Sequence, residues 1–155
     1  MAKKLLKSFL FPKLTVGFFL RLFAVAFGGY LFFRHVCIPV HTDGKSMAPT
    51  YRNGEFNFCW VPMYAFRAPE AGDVVMVRFS GTRIMLFKRV IAVAGETLEF
   101  RDGALIVDGE IRPEPYVEYR NSWNLPPRTV KEGHVYVVGD NRGMPMDYLV
   151  VAPTP

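Results

Sequence analysis

The longest apolar run in the chain extends from residue 14 to residue 33, close to the N-terminus. It comprises 20 residues, which as an α-helix would measure about 30 Å and match the hydrocarbon core of a bilayer. Pro12 suits the start of such a helix, and Pro39 lies just after its expected end. Arg21 interrupts the run, but its long stem lets the guanidinium reach the inner headgroups. We therefore predict a membrane-spanning helix over residues 14–35.

Charged side chains divide the chain into two parts. Residues 1–42 hold six Lys and Arg residues and no acidic residue, whereas the rest of the chain holds 13 basic and 14 acidic residues. Four of the six precede the helix, so the positive-inside rule places residues 1–13 in the cytoplasm and residues 36–155 on the outer, periplasmic or extracellular, face. The nearly neutral remainder argues against a nucleic-acid partner, because nucleic-acid binding needs a basic face on the folded domain.

Two other interpretations of the apolar run are less favoured. A cleaved targeting peptide could end near Ala24-Val25-Ala26, where the small residues resemble a cleavage site. The apolar run, however, continues past them to Phe33. A buried helix of a soluble domain would need cover on every side, and a domain this small cannot supply it. The lipid bilayer is therefore the expected partner of this segment.

Beyond residue 36 the pattern changes to short apolar or alternating runs separated by turn residues. Asp102-Gly103 and Asp108-Gly109 lie between such runs, and an Asp-Gly pair in this setting is a strong hairpin signal. Residues 112–133 are richer in Pro, Asn and charge, which indicates a long loop or lid. The spacing of the turns predicts an all-β domain, sandwich-like or barrel-like, with no long helix. Its predicted strands are 36–42, 56–61, 74–79, 83–93, 97–101, 104–107 and 135–138.

Ser46 is the candidate nucleophile. It lies between a flexible glycine and a proline-containing turn, in the stretch Gly44-Lys45-Ser46-Met47-Ala48-Pro49-Thr50. A serine hydroxyl becomes a nucleophile only with a base beside it and an oxyanion site nearby. Taken alone, this stretch is as typical of a surface turn as of a catalytic serine, so the presence of a base decides between the two interpretations.

Residues 43–155 contain three lysines that could be this base. Lys45 is adjacent to the serine, and neighbours on an extended chain point to opposite faces. Lys131 lies in a polar turn, where it should be solvated. Lys88 alone stands inside an apolar run, Met85–Ile91. Burial disfavours the ammonium form of a lysine and leaves a neutral amine that can accept a proton, so Lys88 is the predicted base.

Histidine and cysteine offer weaker alternatives. His41 or His134 could serve Ser46 in a Ser-His-Asp arrangement, but neither has an evident carboxylate partner. The histidines are too scattered to predict a metal site. Cys37 and Cys59 form no Cys-x-x-Cys motif, and two free thiols are favoured over a disulfide.

Four short motifs follow the apolar segment in a fixed order. They are the Ser46 stretch, Gly72-Asp73-Val74-Val75, Lys88-Arg89-Val90-Ile91 and Gly139-Asp140-Asn141-Arg142. In this order, behind one N-terminal span, they resemble the type I signal peptidases, a family of membrane-bound serine–lysine endopeptidases. The hairpin over 97–110 with Pro115-Tyr116-Val117 also resembles the segment that follows the lysine in that family.

The resemblance implies a role for each of these motifs. Ser46 would be the nucleophile, Lys88 the general base, and the backbone N–H of Ser46 an oxyanion donor. A signal-peptide-bearing precursor protein would bind as an added β-strand, beside Gly44, Lys45, Met47, Leu86 and Phe87. Charged residues would hold the lysine strand against the last motif, and these are Arg89, Asp140, Arg142 and Asp147. No metal or cofactor is implied.

The sequence departs from the family pattern in three places. Gly44 stands where some members carry a hydroxyl that serves the oxyanion, and Pro145 stands where members often carry a serine that orients the lysine amine. The final glycine-containing strand of the family is not evident in residues 150–155. Two alternatives to a general signal peptidase therefore stay open. One is a specialised relative, of conjugation or mitochondrial type, that matures one substrate, and the other is an inactive membrane-anchored binding module.

Overall fold

The computed structural model describes residues 14–78, 85–145 and 148–152. Its first element is helix α1 (Val16–His35), whose N-terminus is capped by the Thr15 side chain, which accepts a hydrogen bond from the Phe18 amide (3.3 Å). None of the side chains of α1 is buried. By length and composition the helix could cross a membrane. The predicted helix is confirmed, and the bilayer crossing stays a prediction.

In the described part of the chain, strands and one short helix follow α1. They are β1 (Cys37–His41), β2 (Phe56–Trp60), α2 (Met63–Phe66), β3 (Val74–Arg78), β4 (Met85–Val93), β5 (Thr97–Arg101), β6 (Ala104–Val107), β7 (Glu110–Ile111), β8 (Leu125–Thr129), β9 (Val135–Val138) and β10 (Tyr148–Val151). Strands β1 and β2 form a hairpin, a second sheet has the order β10-β9-β4-β3, and a third has the order β7-β6-β5-β8. All the pairings are antiparallel. The prediction of a strand-rich domain behind one apolar helix is confirmed.

The Asp-Gly turns form as their residue types require. Asp102 and Gly103 have φ values of 49° and 80°, and Asp108 and Gly109 have values of 52° and 86°. A two-residue turn with positive φ at both central positions gives the twist that a hairpin needs. These turns join β5 to β6 and β6 to β7.

The main hydrophobic core lies between the second and third sheets. It combines side chains of β4 and β9 with side chains of β5 and β6, and Trp123 and Leu125 close it. A second apolar cluster covers the other face of the second sheet, with valines from β3, β4 and β9. The central strands β4 and β9 are therefore covered on both faces, which agrees with their nearly unbroken apolar sequences.

The structure differs from the sequence prediction in two regions. Residues 112–133 are not one long loop, because β8 lies within them and pairs with β5. A last strand, β10, pairs with β9 where no final strand was expected. Cys37 and Cys59 are free. The predicted strand ends at 79 and 83–84 fall outside the described residues.

Candidate active site

Ser46 lies in the connection between β1 and β2. The Gly44 amide donates a hydrogen bond to the side-chain oxygen of Asn53 (2.7 Å), which closes this connection. Met47 is only 2% exposed and anchors the segment in the interior. The backbone at Ser46 is turned rather than extended, so the alternation argument against Lys45 does not apply. Lys45 is nevertheless exposed to solvent.

The segment after β9 holds Ser46 from the other side. The Asn141 amide donates to the Ser46 carbonyl (2.9 Å), and the Asn141 side chain donates to the Lys45 carbonyl (3.0 Å). Gly139 makes the closest approach. A Cβ atom added to Gly139 would lie 2.3 Å from the Ser46 carbonyl oxygen and 3.3 Å from the Ser46 Cβ. Only glycine therefore permits this contact.

Lys88 lies in the middle of β4 and is fully buried (0% exposed). On one side of β4, Arg89 pairs with Val138 of β9. Continuing this register by one residue puts Gly139 opposite Lys88. Opposed residues of antiparallel strands project to the same face of a sheet, and Ser46 packs where a Gly139 side chain would stand. The register therefore brings Ser46 to the face of the sheet on which Lys88 projects.

Arg89 projects to the opposite face and forms a two-point ion pair with Asp140. The Arg89 Nε lies 2.8 Å from Asp140 Oδ1, and Nη2 lies 2.7 Å from Oδ2. The Asp140 carboxylate is fully buried, and its hydrogen bonds raise the pKa of Arg89 above the ordinary arginine value. Asp140 also accepts a hydrogen bond from the Thr50 hydroxyl. One carboxylate thus joins the lysine strand, the last motif and the serine turn.

Arg142, for which the sequence named no partner, forms a buried ion pair. It pairs with Glu114, and both side chains are almost completely buried. The Arg142 Nη1 lies 3.1 Å from Glu114 Oε2, and the Tyr116 hydroxyl donates to Glu114 (2.9 Å). Sequence reasoning missed Glu114, although it stands directly before the Pro115-Tyr116-Val117 segment. Asp147 lies outside the described residues.

A shallow groove with a volume of about 20 Å³ lies beside Ser46. Four of the five predicted substrate-binding residues line it, whereas Lys45 does not line it and is exposed to solvent. The lining residues are Val40, His41, Thr42, Asp43, Gly44, Ser46, Met47, Met85, Leu86 and Phe87. The Phe87 ring stacks on Tyr51 with a centroid distance of 5.2 Å. The groove therefore lies between the serine turn and the first residues of β4.

The remaining candidate bases lie in different surroundings. Lys131 is exposed, as predicted. His134 lines a separate pocket with Tyr64 and Arg67. His41 shares the groove with Ser46, so a histidine base is an alternative that a substitution can test.

Residues 15–148 match the family described as signal peptidase, peptidase S26. The match covers most of the chain, and the chain therefore belongs to this family. The resemblance to type I signal peptidases, read from four motifs, is confirmed.

Curated relatives agree with this assignment. A probable signal peptidase I-1 of Synechocystis is 32% identical over 69% of this chain and 59% of its own length. Thylakoidal processing peptidase 1 of Arabidopsis thaliana is 30% identical over 76% of this chain and 38% of its own. Signal peptidase I T of Bacillus subtilis is 30% identical over 76% and 66%. A signal peptidase I structure from Enterococcus faecalis has a TM-score of 0.45 and 25% identity, over 54% of this chain and 90% of that one. The chain thus spans well under the full length of these curated relatives.

Proposed function

We propose that the protein is a membrane-anchored serine endopeptidase that removes signal peptides from exported precursor proteins. Ser46 is the nucleophile and Lys88 is the general base. The observation that carries the proposal is the contact of Ser46 with Gly139, the position opposite a fully buried lysine. Membership of the signal peptidase family supports the reaction class.

The reaction needs one proton carrier. The neutral Lys88 amine takes the proton of the Ser46 hydroxyl as the oxygen attacks the scissile carbonyl, and the Ser46 backbone N–H helps to bind the oxyanion. The C–N bond then breaks, and the Lys88 ammonium gives its proton to the departing amine of the mature protein. Water, deprotonated by the Lys88 amine, then hydrolyses the acyl-enzyme. The Lys88 ammonium returns this proton to the Ser46 oxygen and restores the hydroxyl.

The edge of β4 beside the groove suits an extended peptide. Strand β4 pairs with β9 only from Arg89 onward, whereas Met85–Phe87 pair with β3 alone in the described part of the chain. The edge of β4 over Met85–Phe87 therefore has backbone groups available on the side of the groove. An extended substrate can add a strand there and place alternate side chains against the mixed polar and apolar lining of the groove. The small volume of the groove, about 20 Å³, favours the small Ala-like residues that the family resemblance implies at the first and third positions before the cut.

The surface next to α1 supports attachment to the bilayer. Phe56, Phe58 and Trp60 alternate along β2 and are 63%, 61% and 51% exposed. The Trp60 ring lies 6.3 Å from that of Phe32, near the end of α1. Exposed aromatic residues that continue an apolar helix are suited to the interfacial region of a membrane. The basic residues 1–13 then lie in the cytoplasm, and the catalytic domain, residues 36–155, lies on the outer face.

Substitution of the proposed pair tests the function. The full chain, in detergent micelles, is assayed on a precursor with an Ala-x-Ala cleavage site. Ser46→Ala and Lys88→Met, which keeps the volume of the stem, should each lower cleavage at least about a thousandfold. Lys131→Ala serves as the control and should retain activity, and His41→Ala, in the lining of the groove, should retain kcat. A Lys88→Met variant with near-normal turnover, or a loss of kcat of about a thousandfold in His41→Ala, contradicts the assignment of the base.

The substrate range is tested separately. Cleavage of many precursors after Ala-x-Ala supports the general signal peptidase, whereas cleavage of a single precursor supports the specialised alternative. A folded wild-type protein that binds precursors and cleaves none identifies the binding module instead.

A further inference from the structure

A chain of charged and aromatic side chains connects the segment after β7 with the proposed catalytic pair. Two of its members, Glu114 and Tyr116, have no role in the proposed reaction so far. Each contacts one of two arginines. Arg89 is the neighbour of Lys88 in β4, and Arg142 bonds to Gly139, on which Ser46 packs.

Tyr116 supports Arg89, the neighbour of Lys88. The guanidinium of Arg89 lies over the Tyr116 ring, 4.0 Å from its centroid. The rest of the guanidinium is held by Asp140 and by the Gly72 carbonyl (2.7 Å from Nη1). The ring thus covers one face of the Arg89 guanidinium while the polar partners hold its edge, and together they fix the strand position next to Lys88.

Glu114 supports Arg142, which contacts the backbone beside Ser46. The Arg142 Nε donates to the Gly139 carbonyl (2.7 Å), and Gly139 is the residue on which Ser46 packs. The other two nitrogens of Arg142 are held by Glu114. The aromatic rings of Phe100 and Trp123 lie on the same guanidinium, 5.3 and 5.5 Å away. Arg142 therefore has little freedom as long as Glu114 is charged and in place.

The two supports are joined to each other. The Tyr116 hydroxyl donates to Glu114 (2.9 Å), and burial next to this carboxylate raises the pKa of Tyr116 above its ordinary value, which keeps the hydroxyl protonated as a donor. Asp140 and Arg142 stand two residues apart in the last motif. The side-chain contacts from Asp140 through Arg89, Tyr116 and Glu114 to Arg142, together with the backbone between Asp140 and Arg142, thus form a closed ring.

We propose that Glu114 and Tyr116 are positioning residues for the peptidase reaction. They act on Ser46 through Arg142 and Gly139, and on Lys88 through Arg89. This proposal rests on the function proposed above. It adds that the segment after β7 sets the geometry of the nucleophile and base without contacting substrate.

The variants separate positioning from simple stability. Tyr116→Phe keeps the ring over Arg89 and removes the hydroxyl, whereas Tyr116→Leu removes the ring. Glu114→Gln keeps the shape of the side chain and removes its charge. Tyr119→Leu, in the same segment but 46% exposed, is the matched control. Each variant is made in the full chain and compared at a temperature at which it is folded.

Two readouts are measured on each variant. The first is cleavage of a precursor, resolved into kcat and KM. Tyr116→Leu and Glu114→Gln should lower kcat about tenfold with KM within about twofold, because a misplaced reacting pair affects the chemical step. Tyr116→Phe should restore most of kcat. The second readout is hydrogen exchange of the Asn141 amide, which is bonded to the Ser46 carbonyl. It should exchange about tenfold faster in Tyr116→Leu and Glu114→Gln than in wild type.

The outcomes distinguish this proposal from the function on which it rests. Unchanged exchange at Asn141 in folded Tyr116→Leu and Glu114→Gln overturns the positioning role, as does an equal loss of kcat in Tyr119→Leu. If Glu114→Gln does not fold, the comparison of Tyr116→Leu with Tyr116→Phe decides. A wild-type protein that cleaves no precursor overturns the proposed function, while faster exchange at Asn141 in the variants still supports the coupling to Ser46.

Discussion

Replacing Gly139 with alanine perturbs the Ser46 contact with a single added atom. The new Cβ would lie 2.3 Å from the Ser46 carbonyl oxygen, 3.1 Å from the carbonyl carbon and 3.3 Å from the Ser46 Cβ. Ordinary contacts begin at 3.4 Å. The Ser46 turn and the Gly139 backbone must therefore separate by about 1 Å, a displacement that in an active site lowers the rate about a hundredfold. Gly139 does not have the positive φ of several other glycines in the described residues, so the clash alone causes the change.

Gly103→Ala is the matched control for this prediction. Its Cβ would also lie 2.3 Å from a backbone carbonyl oxygen, that of Asn121, but in the β5–β6 turn. Both substitutions should destabilise the protein in thermal unfolding, Gly139→Ala by about 1–3 kcal/mol from the clash and Gly103→Ala by about 1–2 kcal/mol more, because its φ of 80° adds left-handed backbone strain. Precursor cleavage, assayed per folded molecule, should fall about a hundredfold in Gly139→Ala and stay near wild type in Gly103→Ala. Equal activities of the two variants would refute the placement of Ser46 on the face of Lys88.

Three further predictions concern ion pairing, pH and the membrane. Asp140→Asn should destabilise the domain by about 3–5 kcal/mol in urea unfolding, because it leaves the Arg89 charge without its buried partner; a loss below about 1 kcal/mol, the value for an exposed pair, contradicts this. Burial raises the pKa of Tyr64 from 10.0 to about 12, so the stability that its protonated form contributes is complete below pH 10 and lost as pH rises through about 12. Wild type should therefore lose more thermal stability across this pH window than Tyr64→Phe, and equal losses in the two proteins would exclude a raised pKa of Tyr64. Phe58→Ser should weaken binding of the protein to lipid vesicles, measured by flotation with α1 deleted, whereas unchanged flotation excludes a lipid-facing β2.

The local signals in the sequence predict the hairpins and miss one strand for a clear reason. The Asp-Gly pairs at 102–103 and 108–109 define their turns without help from distant residues, and the structure has both hairpins. Strand β8 contains Pro126 and Pro127, which normally argue against a strand. It lies at the edge of its sheet, where one side of the strand has no neighbouring strand. A proline on that side costs no hydrogen bond, because no partner is there to accept one. Edge position is a property of the whole fold and is not visible in the segment itself.

The residues of the site divide in the same way into those visible in their own segment and those that depend on distant parts of the chain. Lys88 could be identified because a lysine inside an apolar strand is unusual within its own segment. Glu114 could not be identified, because its burial depends on Arg142, which lies 28 residues further along the chain. The contact between Ser46 and Gly139 likewise depends on the register of β4 against β9, which only the structure supplies.

Direct detection of the acyl-enzyme tests the central claim that Ser46 and Lys88 act as nucleophile and base. The full chain is mixed with an equimolar precursor peptide, quenched with acid within the first turnover, and analysed by intact mass and peptide mapping. Wild type should carry the acyl part of the substrate on Ser46, and folded Lys88→Met should carry none. Cleavage by wild type without an adduct, an adduct on another residue, or acylation of Lys88→Met at the wild-type rate would contradict the claim.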